Sequence, residues 1–318
     1  MGTVGRVFEV PEGAPPGVIN PRLMRISIDR ARAAPDYIVS VLESPPIRRL
    51  LERRAHGGTM PGLNTEALGS ISIPLPPLAE QRKIAEILRT WDEAIEKLEA
   101  LRAAKEQVGA AASRRCFELC HPDTTDRPDG WKPYLLGNVF TERDQAGLDD
   151  DRLLSITMNG GVIDRDDVGR RDTSNEDKSA YKLILPGDIG YNTMRMWQGV
   201  SGLSRLRGIV SPAYTIVTPR HDRIDPVYAS HLFKSRRMVF DFERYSQGLT
   251  SDTWNLKFPA FSRIKVFLPP LNIQQRHAAV FDTIQQEITL LNRQIEVLKS
   301  QKRGLMQKLL TGDWRVSQ

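Results

Sequence analysis

"LPPLAEQRKIAEIL", Leu75 to Leu88, is nearly repeated 193 residues later by "LPPLNIQQRHAAVF", Leu268 to Phe281. Each copy opens on a proline pair, Pro76–Pro77 and Pro269–Pro270, where proline can begin a helix but not continue one. The apolar residues that follow step by four and three. The first stripe is Ile84, Leu88, Trp91, Ile95 and Leu98; the second is Phe281, Ile284, Ile288, Leu291, Ile295 and Leu298. Strict 3–4 alternation is the seam of helices packed knobs-into-holes. Charged and amide residues fill the positions between (Glu93, Glu96, Lys97, Glu99; Gln285, Gln286, Glu287, Arg293), as an outer face in water requires. Gly312 is the stop signal of the second helix.

Two seams of matched length and phase most simply bury each other. About 35 helical residues at 1.5 Å each would make a rod on the order of 50 Å long. Separate docking of each seam on its own globular neighbour would leave the match unexplained.

The repeat also extends upstream. "PPGVINPRLMRI" (Pro15–Ile26) pairs with "LRGIVSPAYTIV" (Leu206–Val217) at an offset of 191, as do Pro35 and Tyr37 with Pro226 and Tyr228, and "HGGT" (His56–Thr59) with "QGLT" (Gln247–Thr250). Such an ordered series marks two copies of one architectural unit. The stretches before both helices read as β-rich and broken by turns, as in "YKLILPGDIGYNTMRMWQGVSG" (Tyr181–Gly202). The expected fold class is therefore α+β. The expected segments are residues 1–78, a partial first globular domain; 79–119, the first helix; 120–130, a polar proline-bearing linker; 131–267, the second globular domain; and 268–318, the second helix and tail.

The 318 residues carry 26% charged and 40% apolar side chains, a balance that suits a soluble globular protein. No apolar run approaches membrane-span length, and "MGTVGRVFEV" lacks the order of a secretory signal. Cys116 and Cys120 are too few for a disulfide framework, which suits a reducing cytoplasm. The net charge of +6 and pI of about 9.4 favour an anionic partner, most commonly nucleic acid.

Taken together, LPPLxEQ (Leu75–Gln81), its echo LPPL-NIQ (Leu268–Gln274) and the closing "LMQKLLTGDWRV" (Leu305–Val316) resemble the specificity subunit of type I restriction-modification systems. "LPGDIGYNTMRMWQGVSG" and "GIVSPAYTIV" look like that family's target-recognition domain. The resemblance implies β-rich target-recognition domains joined by two long helices paired antiparallel as a coiled coil. It implies a gapped double-stranded DNA target, each half read by one globular domain. It also implies two modification (methyltransferase) subunits docked on the helices and bringing S-adenosylmethionine, with restriction subunits where the system has them. No cofactor, catalytic residue, metal or membrane contact is expected of this chain itself. Trp131–Leu206 has a counterpart of only 14 residues before Pro15, so the resemblance implies an N-terminally shortened first recognition domain. An internal start codon or a truncated gene would give that result. The rod implies a ruler: four residues inserted after Lys97 should change the spacing of the DNA target.

Motifs for other chemistry are weak. "NPRL" (Asn20–Leu23) and "SPAY" (Ser211–Tyr214) are poor versions of a methyltransferase Asn-Pro-Pro-aromatic motif, and no P-loop appears. Asp166 or Asp172 with Glu176 and Lys178 imitates a nuclease acid/E-x-K pattern, in a polar loop where such spacing arises often. Cys116, Cys120 and His121 lack a second ligand cluster and read better as thiols near a helix end than as a metal site. A scaffold that binds protein and not DNA is the rival from another class.

For DNA, phosphate contacts supply affinity and base-edge contacts supply discrimination. Asn192, Arg195, Trp197 and Gln198 lie on one glycine-bounded stretch; Arg244, Ser246, Gln247 and Thr250 lie on another. Arginine suits a guanine edge, and asparagine or glutamine an adenine edge. Arg195 and Gln247 are the favoured base readers. Arg170, Arg171 and Lys178 are candidate phosphate ligands.

Overall fold

The computed structural model describes all residues except 1–5, 12, 22, 55–62, 149, 159, 170–176, 251 and 317–318. In chain order the helices are α1 (Pro35–Glu43), α2 (Pro45–Arg54), α3 (Thr65–Gly69), α4 (Leu78–Glu118), α5 (Leu136–Val139), α6 (Pro226–Leu232), α7 (Arg236–Tyr245), α8 (Phe258–Phe261) and α9 (Leu271–Thr311). The strands are β1 (Lys132–Leu135), β2 (Phe140–Glu142), β3 (Leu154–Thr157), β4 (Gly161–Asp164), β5 (Lys182–Ile184), β6 (Ile189–Asn192), β7 (Ser201–Leu203), β8 (Gly208–Val210), β9 (Tyr214–Pro219) and β10 (Lys265–Leu268). Two compact units result, residues 1–104 with 288–318 and residues 105–287.

Both long helices begin on the residue after their proline pair and run for 41 residues, about 60 Å at 1.5 Å per residue. Gly312, at φ +82°, takes the left-handed turn that ends α9. Their pairing is antiparallel in both units. In the first, Arg102 donates to Asn292 (3.2 Å), Lys299 bonds Glu99 (2.7 Å), and Lys302 bonds Asp92. In the second, Lys105 meets Glu287 (2.6 Å) and the Phe117 and Phe281 rings stack at 5.2 Å. Glu99 and Glu287 are thus ion-paired across the helices rather than merely solvated, and the Lys299 ammonium holds the Glu99 carboxyl below its ordinary pKa.

The seam is longer than its apolar residues announce. Past Leu98 the same spacing continues through Arg102, Lys105, Gly109, Ala112 and Cys116, all half-buried or buried. A Cβ on Gly109 would lie 3.1 Å from the Ile284 side chain, so glycine gives the helices a close approach there. Charged residues at seam positions fix register at some cost in stability.

The repeat explains why the motif ends in glutamine. Gln81 and Gln274 are the seventh residues of the two LPPL segments, and both are fully buried. Gln81 accepts from Ala34 N–H (2.9 Å) and donates to the carbonyls of Arg32 (3.1 Å) and Pro76 (2.7 Å). Gln274 accepts from Asp225 N–H (2.9 Å) and donates to the carbonyls of Arg223 (3.0 Å) and Pro269 (2.9 Å). Each amide ties three otherwise orphaned backbone groups, fastening the proline elbow to the turn before α1 or α6. Pro35 and Pro226 then occupy equivalent first-turn positions, and Tyr37 and Tyr228 are wholly buried.

In the first unit the core gathers Tyr37, Val41 and Leu51 against Ile84 and Leu88 of α4 and Met306, Leu309 and Leu310 of α9. The expectation of a β-rich stretch before the first helix is corrected here: no described residue before α4 lies in a strand. The described residues of the segment matching β8–β9 lie in no helix or strand and are exposed, Val18 wholly so. Backbone polar groups of a strand need a neighbour. In the second unit β9 has β2 and β6 on its flanks, whereas the described residues of the first unit supply no such partners.

In the second unit an antiparallel sheet runs β2-β9-β6-β7, with β1-β10, β3-β4 and β5-β8 as flanking pairs. Asp188, in the Pro-Gly-Asp turn, is buried and accepts from Arg143 Nε (2.7 Å), Thr218 Oγ1 (2.6 Å) and Leu185 N–H (2.9 Å). Phe261 is the hub of an aromatic core, packed on Phe140, Tyr191, Phe233, Phe242 and Phe258.

Candidate nucleic-acid interface

Two loops meet at one edge of the second unit. The first leaves β6 and turns through a short 3₁₀ helix, Met196–Gln198, closed by Gly199 at φ +79°. Its own polar groups build it: Met194 N–H donates to Asn192 Oδ1 (3.0 Å), and Trp197 Nε1 donates to the Met194 carbonyl (3.0 Å). Arg195 and Gln198 are left exposed.

The second loop follows α7, which Ser235 caps. Ser246 Oγ donates to the Phe242 carbonyl (2.7 Å), which occupies that hydroxyl in ending the helix. Gln247 and Asn255 exchange backbone hydrogen bonds of 2.8 Å in both directions. Within that clamp Thr253 N–H donates to the Thr250 carbonyl (2.9 Å). Arg244, Gln247 and Thr250 all stand exposed, and the Arg244 guanidinium lies 5.8 Å from the Phe240 ring.

The loops are joined. Trp197 meets Trp254 edge-on at 5.5 Å, and Leu256 N–H donates to the Thr193 carbonyl (2.8 Å). Of the sequence candidates, Asn192, Arg195, Trp197, Gln198, Arg244, Ser246, Gln247 and Thr250 therefore belong to one structural neighbourhood. Asn192, Trp197 and Ser246 hold its shape, while Arg195, Gln198, Arg244, Gln247 and Thr250 face outward. Lys178 belongs to a different segment, 5.8 Å from the Tyr181 ring. Arg170 and Arg171 lie outside the described residues, as do Asp172 and Glu176.

Sequence reading missed Trp254, which pins the second loop to the first. Its signal was available only as a second tryptophan in the polar run Glu243–Asn255. The Lys234 ammonium donates to the Met158 carbonyl (2.8 Å), and burial pushes its pKa below the ordinary lysine value.

Among the described residues, no group of three histidine, cysteine or acidic side chains is placed to hold a metal. Cys116 Sγ sits 3.1 Å from His277 Nδ1, and Cys120 Sγ sits 3.2 Å from Tyr228 Oη. Burial pushes the Cys116 thiol up to about 11 and the Cys120 thiol up to about 12. Only thiolate reacts with alkylating agents, so iodoacetamide at neutral pH should leave both cysteines unmodified until the chain is unfolded. Mass-spectrometric detection of carbamidomethyl-cysteine in native protein would contradict this burial.

Among the described residues, no helix is long and apolar enough to cross a membrane.

The family model of the type I restriction modification DNA specificity domain matches residues 46–105 and 218–300. Each matched segment contains one proline elbow and the start of one long helix. The type I restriction enzyme MjaVIII specificity subunit of Methanocaldococcus jannaschii is 25% identical over 291 residues, covering 84% of this chain and 67% of that protein. In fold, the chain resembles the type I restriction-modification S subunit from M. genitalium, with a TM-score of 0.57, 17% identity, and coverage of 86% of this chain and 72% of that one. It also resembles a chain from a structural study of complex assembly and conformational transition in the type I R-M system, with a TM-score of 0.53, 19% identity, and coverage of 91% and 74%. Repeated elbows, twin long helices and two matched domain segments lead to one conclusion: the chain carries segments of the type I restriction modification DNA specificity domain and is similar in sequence and fold to type I specificity subunits.

Proposed function

We propose that this chain reads DNA for a type I restriction-modification complex and is not itself an enzyme. The second unit reads one half of a bipartite, gapped target. The helix pair spaces the two halves and docks two methyltransferase subunits, which supply S-adenosylmethionine. Restriction subunits join where present, and the complex works in the cytoplasm. The observation that carries this reading is the joined pair of loops, which turns Arg195, Gln198, Arg244 and Gln247 outward from one braced edge.

A second reading, that of a protein-binding scaffold, draws support from the first unit, where no described residue before α4 lies in a strand. Without a sheet to carry equivalent loops, that half would contribute assembly surface, and in this reading the chain binds modification subunits and not DNA.

Electrophoretic shift of the purified chain on random duplex, with and without a modification subunit, separates the readings. DNA reading predicts binding that weakens steeply with salt, by a log–log slope of about 0.9 for each phosphate engaged. Capture of the modification subunit with no retention of DNA would favour the scaffold.

A further inference from the structure

Leu249 is wholly exposed at the tip of the second loop, between Gln247 and Thr250. A single exposed leucine is ordinary on a protein surface. This one is held out by a braced support. Below it, Gln247 and Asn255 are clamped by paired backbone hydrogen bonds, and Asn255 Nδ2 adds a third bond to the Gln247 carbonyl (3.0 Å). Beside it, Thr253 N–H donates to the Thr250 carbonyl (2.9 Å) and Thr250 N–H donates to Thr253 Oγ1 (3.2 Å). Gly248, at φ +145°, lets the two limbs cross; a Cβ there would lie 2.7 Å from the Thr253 carbonyl carbon. These bonds tie down Gln247 and Thr250, the described residues that flank Gly248 and Leu249.

We propose that Leu249 is a wedge that enters a base step of duplex DNA and opens its stacking. Apolar side chains on rigid projections unstack bases in this way, while neighbouring polar groups hold the parted edges. Gln247 and Thr250 stand on either side to do so, and Arg244 at the end of α7 supplies cationic charge nearby. The proposal rests on the DNA-reading function above.

The test uses the chain assembled with its modification subunit. The probe is a duplex that the wild-type complex retains from a randomised pool, carrying 2-aminopurine at each position in turn. With wild type, fluorescence should rise about fivefold at one step. Leu249→Ala should abolish that rise and weaken binding about tenfold. The salt slope should stay unchanged because no charge is lost. Leu249→Phe should restore the signal. The thermal midpoint of Leu249→Ala should match wild type, since the side chain is fully exposed.

A flat profile with binding intact, or a rise that survives Leu249→Ala, overturns the wedge and leaves DNA reading standing. So does weakened binding on replacing a thymine by uracil without unstacking, which would assign Leu249 to a thymine methyl. Retention of no duplex by wild type overturns both.

Discussion

Gln274→Leu should destabilise the unit spanning residues 105–287 by about 3–5 kcal/mol, and Gln81→Leu should do the same to the other unit. Leucine nearly fills the volume, so a cavity is not the cause. The cost arises because the Asp225 N–H and the Arg223 and Pro269 carbonyls lose their partner in a site that water does not reach. Each buried polar group left unsatisfied costs about 1–3 kcal/mol, with partial relief as the turn loosens. Gln274→Glu separates hydrogen bonding from packing. It keeps the shape and the acceptor but sets a carboxylate oxygen against two carbonyls, so it should be at least as harmful as leucine. Urea denaturation gives the magnitude, and hydrogen exchange locates it, since the Asp225 amide should lose its protection first. A shift below 1 kcal/mol for either variant would mean that the elbow is held by its prolines alone.

That glutamine also marks the limit of what a sequence discloses. The long helices and the apolar part of the seam were legible because a 3–4 stripe repeats many times, and each repetition is independent testimony. Gln81 and Gln274 could be seen to recur, but two of the three backbone groups each one fastens lie some fifty residues upstream and leave no periodic trace. Arg102, Lys105 and Gly109 sit on the seam yet break its apolar pattern, so the stripe seemed to stop at Leu98. The first unit misled for a different reason. Its residues 15–26 resemble those of β8–β9, but a strand is a property of a pair, and resemblance along one segment says nothing about whether partners flank it.

The candidate interface divides similarly. Polar side chains on glycine-bounded runs could be nominated from composition. Which of them build the loop and which face outward depends on short-range hydrogen bonds that only the folded chain reveals. Trp197 is the clearest case. Its indole N–H is occupied by Met194 and its ring is set against Trp254, so its contribution is to hold Arg195 in place.

The second large effect follows from that division. Arg195→Ala combined with Arg244→Ala should weaken duplex binding by about 30- to 900-fold at moderate salt, each arginine contributing about 1–2 kcal/mol. The single variants should differ in kind. Arg195 opens the 3₁₀ turn on a loop whose shape is fixed by its own hydrogen bonds, the setting in which a guanidinium can address one guanine edge. Its loss should relax discrimination at one base pair and leave the salt slope nearly intact. Arg244 is the basic residue in the last turn of α7, and the Phe240 ring supports its guanidinium without orienting it toward a single acceptor. Its loss should weaken all sequences equally and lower the slope by about 0.9, the signature of one phosphate. Lys178→Ala, removed from the loop pair, is the control and should change binding by less than threefold. Binding measured across a salt series, on the selected duplex and on its single-base variants, resolves all three. Should the double variant bind as wild type does with an undiminished slope, the joined loops are not where this chain meets DNA.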